Sequence, residues 1–133
     1  MSLKPFAMFG LAAPLAIAIA LPARAAEVPS IPHTALVKAI QAKKVTVIDV
    51  NGTESYKSGR IPGALNFETV GSNLKAKLPA NKNALVVAYC GSPQCGAYKK
   101  AAMAAKKLGY TNVKHYSPGI SGWKKSGARV EKS

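Results

Sequence analysis

The sequence predicts an α/β domain with a mostly parallel sheet covered by helices on both faces. Three observations predict it. The runs VTVIDV (Val45 to Val50) and ALVVAYC (Ala84 to Cys90) are almost continuously apolar and rich in β-branched residues, as strands buried on both faces are. Segments with apolar residues at helical spacing lie before and after them. Strands that alternate with helices in this way pair in parallel through crossover connections.

The chain opens with MSLKPFAMFGLAAPLAIAIALPARAA, which has one early lysine, Lys4, an apolar segment from Phe6 to Leu21, and small residues at Ala23, Ala25 and Ala26. This is the layout of an export leader, with cleavage expected after Ala25. Pro14, Pro22 and the modest apolar length argue against a retained anchor, because spanning a bilayer takes about 20 apolar residues. The expected boundaries are therefore 1–25 for a signal peptide and 26–133 for the folded domain. In a Gram-negative source that domain is periplasmic, with no stable membrane insertion after cleavage.

From Glu27 to Pro32 the chain is an extended lead-in whose prolines resist helix, and it can supply a short edge strand. Thr34 is the candidate N-cap of a first helix that carries Leu36, Val37 and Ile40 on one face and ends near Lys43. After the first buried strand, NGTESYKSGRIPGALNF is rich in turn residues, with a short helical piece at Glu54 to Lys57 and a short strand at Ala64 to Asn66. A polar linker follows, with a helical stretch from Leu74 to Leu78 stopped by Pro79. Beyond the second buried strand and the loop GSPQCG, the segment AYKKAAMAAKKLG places Ala97, Ala101, Ala104 and Leu108 on one stripe, with Gly109 as its C-terminal cap. Val113 to Tyr116 reads as the last strand, SPG as a turn, and ISGWKKSG as a closing helix, with Tyr116 and Trp123 completing the core near it.

The 133 residues include 19 lysines and arginines against 5 aspartates and glutamates, a net charge of +14. Loss of the leader removes only Lys4 and Arg24 from that surplus. An exported chain in which lysine greatly outnumbers arginine is not expected to bind nucleic acid. A small anionic substrate or an acidic or thiol-bearing partner protein suits the charge. So does a lysine-rich surface whose only task is solubility.

Ligands of open α/β sheets bind where strand carboxyl ends turn into helices, and Cys90 stands at that point. The loop Gly91, Ser92, Pro93, Gln94, Cys95 and Gly96 separates it from the next helix, and its two glycines let backbone N–H groups turn toward the sulfur. Such a nest, with a helix N-terminus, binds an anion and favours a thiolate. The thiolate is the nucleophilic form of cysteine. A cysteine at a strand end can equally be a small buried apolar residue.

Cys95 is either a resolving thiol for Cys90 or an incidental loop cysteine. A bond between them closes a short loop and adds little to global stability, so a reactive pair competes with a structural one. Asp49 is read as an architectural residue that orders the GRIPGA turn, and Arg60 as either a cleft residue or a surface one. Lys99 and Lys100 either lend the loop positive potential or are plain solvated charges. His33 and His115 lack ligand spacing, so no metal and no cofactor is expected.

The stretches VIDVNGTESYKSGRIPGALNF, LVVAYC and KKAAMAAKKLGYTNVKHYSPGISGWKKSG resemble the rhodanese-like, or sulfurtransferase, domain family along nearly the whole of 26–133. The resemblance implies a five-stranded sheet and a persulfide carried by Cys90, with Gly91 to Gly96 as the cradle loop. It implies thiosulfate or a similar anionic sulfur donor, and a thiol or cyanide as acceptor. The loop lacks the arginine with which many members hold the anion, and Cys95 stands about where that arginine is expected. The interval from Cys90 to Ala101 and Ala102 exceeds the common six-residue cradle. Asn51 and Arg60 replace a frequent arginine and a frequent histidine. Two functions are thus expected to compete: a periplasmic sulfurtransferase, and a non-catalytic or thiol-redox module that docks a partner.

Overall fold

The computed structural model describes residues 27–133, together with Ser2, Pro5, Gly10 and residues 12–17. The expected leader and its cleavage point lie for the most part outside the described residues. Among the described residues, no helix is long and apolar enough to cross a membrane.

The sheet has four parallel strands, β1 (Val45–Asp49), β2 (Leu65–Asn66), β3 (Leu85–Tyr89) and β4 (Val113–His115), in the order β2-β1-β3-β4. Around it lie α1 (His33–Gln41), α2 (Thr53–Ser58), α3 (Phe67–Val70), α4 (Leu74–Lys77), α5 (Tyr98–Lys107) and α6 (Gly119–Lys125). β1 and β3 pair along their whole length, from Val45 with Leu85 to Asp49 with Tyr89. Alternate side chains go to opposite layers. Ile48, Val86 and Ala88 pack with Leu74 of α4 and with Ala101, Ala102 and Ala105 of α5. Val47, Val87 and Tyr89 pack with Leu36 of α1 and with Ile120 and Trp123 of α6. Burial on both faces is why the two central strands read as almost continuous apolar runs.

Four expectations are corrected. The sheet has four strands rather than five, because the lead-in contributes a single parallel bridge, Ser30 to His115. Pro29 and Pro32 flank that bridge and have no N–H to extend a ladder. α1 begins at His33 with Pro32 in the cap position and no capping side chain, so Thr34 lies inside the first turn. The buried stripe of α5 is Ala101, Ala102 and Ala105 rather than Ala97, Ala104 and Leu108 around Ala101. The part of the linker next to β2 is also more helical than expected, since the Asn66 side chain accepts the Glu68 N–H at 3.1 Å and starts α3.

Asp49 is fully buried and works through Tyr89. The Tyr89 hydroxyl donates to Asp49 Oδ2 at 2.5 Å and accepts the Ile61 N–H at 3.0 Å. Asp49 Oδ1 accepts the Asn51 N–H at 2.8 Å. One phenol therefore ties the ends of the two central strands to the GRIPGA turn. Its own ionisation is pushed well above the ordinary tyrosine value, first by burial and then by the Asp49 charge. Tyr89→Phe leaves a buried carboxylate and a buried N–H short of a partner, and is expected to destabilise the fold by about 2–4 kcal/mol. The melting temperature then falls by roughly 10–20 °C. A fall of only a degree or two in a thermal melt would show that the hydroxyl is dispensable.

Candidate active site

Cys90 directly follows β3 and is 2% exposed. The Tyr98 N–H, at the first residue of α5, donates to its Sγ at 3.0 Å. The positive end of that helix therefore lies on the sulfur, an arrangement that favours negative charge there. Among the described residues this is the one amide that reaches the Sγ. The expected ring of loop amides is not formed, because the Cys95 N–H instead closes a turn onto the Ser92 carbonyl at 3.1 Å. Cys90 and Cys95 are joined as a disulfide, with their Cα atoms 6.0 Å apart.

The loop is held from behind by the start of α6. The Ile120 and Ser121 N–H groups donate to the carbonyls of Cys90 and Gly91 at 2.9 and 3.0 Å. Gly119 makes this approach possible. Its φ is +65°, and a Cβ there would lie 2.7 Å from the Cys90 carbonyl oxygen, the Gly91 carbonyl carbon and the Ser92 nitrogen. Only glycine combines that backbone angle with that clearance.

In front of the disulfide is an open cavity of about 330 Å³. Cys90 and, of the predicted loop, Ser92, Pro93, Gln94, Cys95 and Gly96 line it, whereas Gly91 does not. Gly91 turns toward the Asn51 side chain instead. The other predicted cleft residues, Asp49 and Arg60, lie elsewhere. Arg60 stacks over the Tyr56 ring at 4.2 Å, donates to the Ser133 Oγ at 2.8 Å and lies 3.7 Å from the Glu131 carboxylate. Its charge is thus engaged by the C-terminal segment rather than offered to the cavity.

Sequence reasoning missed Tyr98, His115, Tyr116 and Ser117 as cavity residues, and left Lys99 undecided. Lys99 lines the cavity and Lys100 does not. His115 and Ser117 come from the end of β4, and only the strand order places that end beside Cys90. The His115 and Tyr98 ring centroids are 4.2 Å apart, and His115 Nε2 lies 3.0 Å from the Ser30 Oγ. Burial, and then the charge of Lys99, hold His115 below the ordinary histidine value. Among the described residues, no cluster of three His, Cys, Asp or Glu side chains is placed to hold a metal.

The His115 shift has a defined sign. A group whose folded-state value is lowered contributes stability that is complete above its unfolded value and is lost as the pH falls through the folded one. The wild type is therefore expected to lose more melting temperature than His115→Gln between about pH 7.5 and pH 5, because only the wild type carries the imidazole. Parallel melting curves over that range would contradict this.

Comparison with known proteins points the same way. The family model described as the rhodanese-like domain matches residues 33–126. A curated relative, an HTH-type transcriptional regulator of Mycobacterium tuberculosis, is 31% identical over 103 residues, which is 77% of this chain and 44% of that protein. The chain thus spans less than half the length of that relative. Among solved structures, a Bacillus halodurans protein is 27% identical with a TM-score of 0.61, over 78% of this chain and 77% of that one. A 3-mercaptopyruvate sulfotransferase of Escherichia coli, described as having the rhodanese fold, shares 16% identity at a TM-score of 0.64, over 80% of this chain and 51% of that one. A human single-domain sulfurtransferase shares 21% identity at a TM-score of 0.58, over 74% and 96%. The last two bear on the fold alone.

Proposed function

The chain belongs to the rhodanese-like domain family, and on that footing we propose that it is an exported sulfurtransferase that carries a sulfane sulfur as a persulfide on Cys90. The observation that carries this is the Tyr98 N–H on the Cys90 sulfur at the N-terminus of α5. In the reduced protein, the Cys90 thiolate attacks the outer sulfur of thiosulfate or a similar anionic donor. The donor's S–S bond breaks and sulfite leaves with the bonding pair. The persulfide's negative charge falls where the Tyr98 amide and the helix end stabilise it. A thiol or cyanide then takes the outer sulfur, and the Cys90 thiolate is restored.

Lys99 is the one lysine or arginine among the described cavity residues. It supplies the positive charge that the missing loop arginine would give a donor anion, as a point charge rather than a two-pronged clamp. Export rests on the sequence of residues 1–25 and places the reaction in the periplasm of a Gram-negative source. The basic surface suits an acidic or thiol-bearing protein as acceptor.

The test is intact-mass measurement of fully reduced Cys95→Ser protein, in which no second thiol can remove the sulfur, mixed with thiosulfate. A gain of one sulfur atom per chain is expected. A folded, reduced protein that takes up no sulfur from several sulfane donors ends this reading. A second reading, a thiol-redox module that docks a partner, is favoured by the Cys90–Cys95 disulfide. It predicts exchange with a dithiol protein and no uptake of sulfur.

A further inference from the structure

We propose that Cys95 acts as an internal acceptor that discharges the Cys90 persulfide as hydrosulfide, so that the protein is a sulfide-releasing reductase of sulfane sulfur, driven by an external dithiol. This rests on persulfide formation at Cys90 and specifies the fate of the sulfur. The two sulfurs already meet in a bond across a Cα separation of 6.0 Å, within the ordinary range for a disulfide. The loop therefore needs no large rearrangement to bring the Cys95 thiolate onto the Cys90 Sγ. The cavity in front of the pair is open to solvent and is lined by both cysteines, so a small anion can leave through it.

In the step proposed, the Cys95 thiolate attacks the Cys90 Sγ. A Cys90–Cys95 bond forms, the bond from Cys90 to the sulfane sulfur breaks, and the sulfur departs with the bonding pair and takes up the proton given up by the Cys95 thiol, leaving as hydrosulfide. The two cysteine thiols together lose two electrons and the sulfane sulfur gains both. Tethering gives Cys95 an effective concentration on the order of millimolar or more, which favours it over dilute external thiols. Each cycle leaves the disulfide seen in the structure.

The return step has a direction. Cys90 is 2% exposed, while Cys95 is only partly buried. An external dithiol therefore attacks the Cys95 Sγ, and the Cys90 thiolate leaves onto the Tyr98 amide and the end of α5. The leaving sulfur of an exchange reaction is the one better stabilised as an anion. The dithiol's second thiol then releases Cys95 and closes the external disulfide, two electrons for each sulfide freed. The arginine that the loop lacks and the cysteine that stands about where it is expected thus form one change, from holding a donor anion to removing the sulfur it delivers.

The experiment takes reduced protein under anaerobic conditions, freed of reductant, and adds one equivalent of thiosulfate. Intact mass and free sulfide are then measured on wild type, Cys95→Ser and Cys95→Ala. The expected result is that wild type releases one sulfide per chain and ends two hydrogens lighter than its reduced form. Both Cys95 variants should keep one extra sulfur and release no sulfide. If the wild type instead keeps the sulfur as the variants do, the role of Cys95 is overturned while persulfide formation stands. If the variants, folded by circular dichroism, take up no sulfur at all, persulfide formation fails and this inference fails with it.

Discussion

Cys90→Ala is expected to reduce sulfur transfer from thiosulfate to cyanide by roughly a thousandfold or more, to the level of the uncatalysed exchange. No other cysteine can replace it. Cys95 lies within the loop, with its N–H used by the Ser92 turn, and among the described hydrogen bonds the helix amide of Tyr98 goes to Cys90 alone. The fold should survive the change, because an alanine fills most of the same space and the disulfide it removes spans only five residues of sequence. A melting temperature within a few degrees of wild type, together with absent activity, separates a lost nucleophile from a lost fold. Activity above one-tenth of wild type would remove Cys90 from the chemistry.

Gly119→Ala is expected to destabilise the protein by about 2–4 kcal/mol, from the left-handed backbone angle and from overpacking against neighbouring backbone. The melting temperature falls by roughly 10–20 °C. The atoms it meets, in Cys90, Gly91 and Ser92, are main chain and cannot swing aside as a flexible side chain would. The loop itself must shift, which pulls the Cys90 sulfur off the Tyr98 amide. Sulfur uptake per folded chain, read as sulfite released from thiosulfate, is therefore expected to fall along with stability. Gly63 offers the control: its φ is +78° and a Cβ there meets nothing within 4 Å, so Gly63→Ala pays the backbone strain without touching the loop. Equal loss of sulfur uptake in both variants would show that the packing of Gly119 against the loop is not what matters.

Much of this was legible in the residues, for identifiable reasons. VTVIDV and ALVVAYC announced themselves because a strand covered on both faces has few polar positions to interrupt it. Cys90 was legible because it ends one of those runs. The stripe of α5 was misplaced because its alanines offer little contrast in hydropathy, so Ala97, Ala101, Ala104 and Leu108 look as regular as the buried set Ala101, Ala102 and Ala105. Arg60 could not be placed because its partner Glu131 is far along the chain and no local signal joins them. His115 and Ser117 reach the cavity only through the order β2-β1-β3-β4, which periodicity does not specify. Gly119, next to Pro118, reads as an ordinary turn glycine, and only the close approach of Cys90 and Gly91 shows its second role.

The most direct measurement is the ultraviolet absorbance of the Cys90 thiolate as a function of pH, made on reduced Cys95→Ser so that one cysteine titrates. With the sulfur seated on the first amide of α5, thiolate should already predominate at neutral pH. Absorbance that grows in only near pH 8.5, about where an unperturbed cysteine ionises, would mean that the strand end and helix do nothing for the sulfur.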